Sequence, residues 1–348
     1  TFTLTTGVDT FTGTDKADVF NGALTTVGNL DSLDGKAGKD IANLEVSQDI
    51  SSTFTTTDVE TINLTTYGAR NVDMTKMTGV ETFNVKNSTG KVTIANANSA
   101  TMALSFEGSS TNDIKAGYKA GTLSGTADKL AVSLNTASAV KVETDAGFES
   151  AEITVNGKSD IDGFKAPGVT TVVLKGSGNL DIATGQMTGI ETLSAADYTG
   201  SLTTGTANAT TGFVPADAIT GSANGTVITL GSGTDNISVK DVSAATKSTT
   251  VKLGAGDDKV TVNAAGNAIY VFGEAGNDSI NAVTTALDSA DVINGGEGTD
   301  TLTLDGSLLN NAMVLKSIEK VTINGSVSGG LAQTFTNDDS ATAITYKV

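Results

Sequence analysis

Four aspartates, Asp235, Asp258, Asp278 and Asp300, recur at steps of 23, 20 and 22 residues, and each closes a turn rich in glycine. The four stretches read LGSGTDNIS (230–238), LGAGDDKVT (253–261), GEAGNDSIN (273–281) and GGEGTDTLT (295–303). Glycine lets a turn adopt positive φ and bring backbone carbonyls close to an ion, and the aspartate adds a charged oxygen. Calcium accepts about six to eight oxygens, so one turn cannot fill its shell and neighbouring turns must share the ion. The expected chemistry is therefore binding of Ca2+ by Gly231, Gly233 and Asp235, by Gly254, Gly256 and Asp258, by Gly273, Gly276 and Asp278, and by Gly295, Gly296, Gly298 and Asp300. Such binding is coupled to folding, because no preformed site exists in the unfolded chain. Magnesium suits the pattern less well, since it asks for rigid octahedral geometry and keeps its water.

Residues 295–303 fit every fixed position of the nonapeptide G-G-x-G-x-D-x-U-x of calcium-binding parallel β-rolls, and the other three stretches depart from it by one residue each. Two nonapeptides make one coil of about eighteen residues, so slightly larger coils return each aspartate to the same edge. The opposite edge is poorer in acids. Thr226 and Asp291 stand nine residues before Asp235 and Asp300, and Ala268 stands ten before Asp278. Calcium is expected mainly along one edge, with Asp291 as the one acid on the other.

A second copy lies near the N-terminus. DKADVFNG (15–22) and DSADVING (288–295) are one octapeptide with two changes, and each leads to a glycine-aspartate turn, GKAGKD ending at Asp40 and GGEGTD ending at Asp300. Each then reaches a glutamate in a strand-like phrase, Glu60 in DVETINLT and Glu319 in SIEKVTIN. Lys36 and Lys39 sit within the first turn and oppose a cation. Asp15, Asp18, Asp34 and Asp40 are candidate ligands there, and a turn that holds no metal fits the residues equally well.

The elements that position these residues read as strands. Forty glycines, two prolines, 38% hydrophobic and 5% aromatic residues suit short strands separated by many turns rather than a thick core. The phrase MTGVETFNV (77–85) returns as MTGIETLSA (187–195). Apolar strand centres fall at Ile62 and Phe83 and again at Ile153, Val173 and Leu193, steps of 20 or 21 residues that mark stacked coils. No segment sustains an apolar period of about 3.6 with capping signals. The fold class expected is all-β, a parallel β-solenoid or β-roll. The weakly patterned stretch Thr203–Ala218, with Pro215, divides it into a solenoid over 1–212 and a calcium-binding roll with further coils over 213–348.

Other chemistries are narrowed by composition. The 348 residues contain neither cysteine nor histidine, which removes thiolate chemistry, histidine-based nucleophilic triads and the usual zinc sites, and leaves hard cations. Thirty-nine acids against 21 bases give a formal charge of −18, with Arg70 the single arginine, so nucleic acid and anionic membranes are poor partners. No run approaches about 18 apolar residues, so no transmembrane segment is expected. Glu60, Glu81, Glu191 and Glu319 invite a paired-carboxylate reading, but their equivalent repeat positions point to hydrogen bonding at turns and strand edges, and Asp160 and Asp162 share that ambiguity. No active site is expected. The first residues carry neither a start methionine nor a signal pattern, so the chain reads as a segment of a longer protein or a processed one.

Over residues 220–305 the glycine-aspartate repeats resemble the RTX (repeats-in-toxin) family of secreted Gram-negative proteins. The resemblance implies calcium-filled β-rolls that fold after type I secretion, directed by an uncleaved C-terminal signal. The Thr, Ala, Gly and Asn bias, the acidity and the VETINL-type phrases are similar to the RTX-type surface-layer proteins, calcium-held coats outside the cell. That likeness implies copies of the chain in a lattice, a cell-surface polysaccharide as a further partner, and an extracellular location at the cell surface. An adhesin would carry long near-identical tandem domains, whereas one imperfect duplication is visible. The non-catalytic region of a secreted enzyme would need its catalytic module elsewhere, since an HExxH helix is impossible without histidine.

Overall fold

The computed structural model describes residues 1–108, 113–183, 186–205, 219–240, 246–263, 267–283, 290–305, 314–324, 336–337 and 343–347. Among them there is no helix, and therefore none long and apolar enough to cross a membrane. Among the described residues every strand pairing is parallel, and the strands inside each sheet bond to strands of the coil before and the coil after, which makes the chain a β-solenoid. Two compact units are present, Thr1–Val169 and Thr170–Val348. The boundary expected at residues 212 and 213 falls within 206–218, outside the described residues.

The N-terminal unit shows why these residues form strands. Ile41–Val46 alternates, with Ala42, Leu44 and Val46 buried and Asn43 and Glu45 turned outward, the period of two that a half-buried strand requires. Its inward positions stack coil upon coil as Phe20, Ala42, Ile62, Phe83, Leu104, Val132 and Ile153, each at most 2% exposed. Each large member of that column contributes roughly 1.5–3 kcal/mol of burial. A second sheet runs through Arg70–Asp73, Val92–Ala97, Asp113–Tyr118, Val140–Thr144 and Ser159–Lys165, and a short third one through Thr10–Thr12, Ser32–Asp34 and Thr55–Thr57.

On the outer face of the first sheet, asparagines form a second column that the sequence reading did not anticipate. The Asn43 side-chain amide donates to Asn21 Oδ1 at 2.8 Å, Asn63 donates to Asn43 at 2.8 Å, and Asn84 donates to Asn63 at 3.0 Å. A parallel in-register stack brings identical side chains together, so one amide satisfies the next.

In the C-terminal unit two sheets carry the aspartate turns between them. Thr226–Thr229, Ser248–Lys252, Ala268–Phe272, Val292–Asn294 and Val314–Lys316 form part of one. Asn236–Lys240, Lys259–Asn263, Ser279–Val283, Thr301–Asp305 and Lys320–Asn324 form part of the other. Ile228, Val251, Val271, Ile293 and Leu315 stack inside the first, and Ile237, Val260, Ile280, Leu302 and Val321 inside the second. Each turn runs from the first sheet to the second, so register fixes its position. One expected strand centre is corrected here. Val172, not Val173, pairs with Leu193 and is buried, because the Val-Val doublet leaves the inward parity open and a slip of one residue reverses the face.

Candidate metal centre

The turn aspartates form one ladder. Leu202 N–H donates to Asp235 Oδ1 at 2.6 Å, Asp235 N–H to Asp258 Oδ1 at 2.8 Å, Asp258 N–H to Asp278 Oδ1 at 2.9 Å, and Asp278 N–H to Asp300 Oδ1 at 2.7 Å. Glu319 ends the series by accepting from Asp300 N–H at 2.5 Å. The four aspartates are 0–2% exposed. Each therefore uses one oxygen to satisfy a buried amide of the preceding coil, a charge-assisted bond that stitches neighbouring coils together.

The second oxygen has no such use. Oδ2 of Asp258, Asp278 and Asp300 is buried and has no hydrogen-bond partner. Backbone carbonyls border the same spaces: a Cβ on Gly273 would overlap the Gly295 carbonyl oxygen and crowd Asp278 Oδ2, and one on Gly295 would overlap the Ser317 carbonyl oxygen and crowd Asp300 Oδ2. Gly254, Gly256, Gly276, Gly296 and Gly298 hold positive φ, as the glycine-turn reading requires. Gly231, Gly233, Gly273 and Gly295 do not, and are needed for another reason: a Cβ on Gly231 or Gly233 would overlap a carbonyl oxygen, of Tyr198 and Gly200 respectively, as it would at Gly273 and Gly295. At the position equivalent to Gly254 and Gly296, Glu274 adopts φ 71 despite its side chain.

The electrostatics follow from burial. Desolvation pushes Asp258 and Asp278 up to about 7 and Asp235 up to about 6, and it raises Asp300. Hydrogen bonds from the preceding coil oppose these shifts without cancelling them. Among the described residues no three acidic side chains converge on one point, so a metal here must draw on carbonyls as well as carboxylates. The donor set fits a hard cation: buried, all oxygen, and with carboxylate oxygens that no protein donor occupies.

Asp291 lies on the other edge, 1% exposed, where its Oδ1 accepts from Ile269 N–H at 2.8 Å. Asp288, its partner in the duplicated octapeptide, lies outside the described residues. In the N-terminal unit, Asp18 N–H donates to Asp40 Oδ1 at 2.6 Å and Asp40 N–H donates to Glu60 Oε2 at 2.7 Å. Asp40 Oδ2 is again buried without a partner, and burial again raises the carboxyl. The other candidates there are differently placed. Asp18 Oδ2 accepts from Thr14 N–H at 2.6 Å, Asp34 pairs with Lys36 at 2.8 Å, and Asp15 is exposed.

The sequence reading missed a further pair, Asp9 and Asp31, with Asp9 N–H donating to Asp31 Oδ1 at 2.9 Å. Their 22-residue step was a usable signal. Their remaining oxygens accept from Thr5 and Gly28, so, unlike Asp258, Asp278 and Asp300, neither leaves a carboxylate oxygen without a protein donor. Of the recurrent glutamates, Glu60 and Glu319 cap backbone amides, Glu81 pairs with Lys39 at 2.7 Å, and Glu191 accepts from Asn224 at 2.6 Å. Asp160 likewise accepts from Ala139 N–H at 2.6 Å.

The metal-free chain should respond to acid in an unusual direction. Because folding raises Asp235, Asp258 and Asp278, the folded state holds protons that the unfolded state has already released, and stability increases as pH falls through the folded values. In excess chelator the melting temperature is expected to rise between pH 8 and pH 5. Asp49, Asp73 and Glu143, which hydrogen bonds hold below their ordinary values, weaken the fold only at more acidic pH. A melting temperature that falls steadily from pH 8 to pH 5 contradicts the burial of unneutralised carboxylates.

Comparison of the chain with protein-family models, with curated proteins and with solved structures returns no match.

Proposed function

We propose that the protein is a structural, calcium-set subunit of a surface layer, which folds outside the cell after secretion and assembles with copies of itself into a two-dimensional lattice. The observation that carries this reading is the row of buried aspartates whose Oδ2 atoms have no protein donor and adjoin backbone carbonyls. Charge that no protein group neutralises is a standing cost to the folded state, and a divalent cation removes it. Asp258, Asp278 and Asp300 would hold such ions together with the carbonyls of the glycine turns, and calcium would supply charge neutralisation and cross-coil ligation. The chain's own residues do the rest: the ladder aligns the coils, the glycines admit the carbonyls, and the buried columns keep the register.

This arrangement suits a scaffold. Regular strands present repeated outer faces, and the net charge of −18 keeps chains apart until cations bind. A cell-surface polysaccharide is a second proposed partner. The groove of about 370 Å3 that includes Asn21, Asn43, Asn63, Glu45, Thr65 and Lys86 offers amide and carboxylate groups of the kind that hydrogen-bond hydroxyls. Electron microscopy of the purified chain tests assembly. Ordered two-dimensional sheets are expected in millimolar calcium and separate particles in chelator. Separate particles in both conditions contradict the surface-layer reading.

A further inference from the structure

The C-terminal ladder ends where Asp300 meets Glu319, and the same construction stands in the N-terminal unit where Asp40 meets Glu60. Gly295 N–H donates to Lys316 O at 2.9 Å, and Gly35 N–H donates to Thr57 O at 2.9 Å. Lys320 N–H donates to Asp300 O at 3.0 Å, and Thr61 N–H donates to Asp40 O at 3.0 Å. The residue whose carbonyl enters the space holds a left-handed conformation in both, Ser317 at φ 47 and Asp58 at φ 48. A Cβ on Gly295 would overlap the Ser317 carbonyl oxygen, and a Cβ on Gly35 would overlap that of Asp58 while standing 2.5 Å from Asp40 Oδ2. A glutamate then caps the aspartate amide in each case.

The two lysines of the N-terminal turn were expected to oppose a cation there. Their side chains instead turn elsewhere: Lys36 Nζ pairs with Asp34 at 2.8 Å and Lys39 Nζ pairs with Glu81 at 2.7 Å. Neither reaches Asp40, which is 0% exposed and whose Oδ2 has no partner. We infer that the N-terminal unit holds a cation site of its own, with Asp40 Oδ2 and the Asp58 carbonyl as ligands and Glu60 supplying the second carboxylate. The inference rests on the calcium reading of the C-terminal edge and extends it to a unit whose turn sequence argues against it. It also selects among the N-terminal acids: Asp40 binds, whereas Asp15, Asp18 and Asp34 do not.

Native mass spectrometry of the full chain, titrated with calcium chloride, counts the ions held. Asp40→Asn is expected to hold one ion fewer than the wild type, and Glu60→Gln to weaken one site by about ten-fold or more. Should Asp40→Asn fail to fold, Glu60→Gln decides, since it keeps an oxygen for the Asp40 amide. An unchanged count in Asp40→Asn, or an unchanged affinity in Glu60→Gln, overturns the N-terminal site. If Asp258→Asn with Asp278→Asn still lowers the count, the C-terminal reading survives that failure. A wild-type chain that holds no calcium overturns both.

Discussion

Gly276→Ala is expected to destabilise the protein by about 3 kcal/mol or more, a fall of roughly 4 °C or more in melting temperature. Gly276 holds φ +138, and a Cβ there would overlap the carbonyl oxygen of Gly256 in the preceding coil. Backbone cannot yield as the end of a flexible side chain can, so the coils must separate along the edge where the aspartate ladder runs. Gly189→Ala is the matched comparison. Gly189 also holds positive φ, at 72, but an added Cβ meets nothing within 4 Å, so only the conformational cost of about 1–2 kcal/mol applies. Equal losses in the two variants, read by thermal unfolding, contradict the close approach of carbonyls on which the proposed metal edge depends.

Asp278→Asn is expected to change sign with calcium. In chelator at pH 8 the substitution removes a buried charge that burial disfavours, and the asparagine oxygen can still accept from Asp258 N–H. The new amide donor replaces an oxygen that had no partner and lies near the Gly295 carbonyl. The variant should therefore melt at or above the wild-type temperature. In saturating calcium it would lose the charged ligand proposed at this turn, and the stabilisation forfeited is about 2–3 kcal/mol, the linkage expected at roughly a hundred times the dissociation constant. An equal loss in both conditions would reduce Asp278 to a structural cap.

How far these features can be read from sequence differs by residue. The ladder aspartates are legible because one carboxylate per coil, at one place after a glycine turn, leaves a repeating trace. The bond from each Asp N–H to the next Asp Oδ1 leaves none, since it follows from the register of whole strands. Asn21, Asn43, Asn63 and Asn84 were present at a readable spacing, yet an outward asparagine in a strand resembles any polar residue until its neighbours are stacked on it. Val173 was misplaced because two adjacent valines make the inward parity ambiguous. In the N-terminal turn, residue type alone could not show that Lys36 and Lys39 swing away to Asp34 and Glu81.

The central claim is that calcium neutralises the buried aspartate ladder and thereby sets the fold. Its most direct test is the thermal unfolding of the full wild-type chain, followed by circular dichroism at pH 8 in millimolar calcium and in excess chelator. A markedly higher melting temperature in calcium, with magnesium unable to substitute, is the predicted result; superimposable melts in calcium and chelator would contradict it.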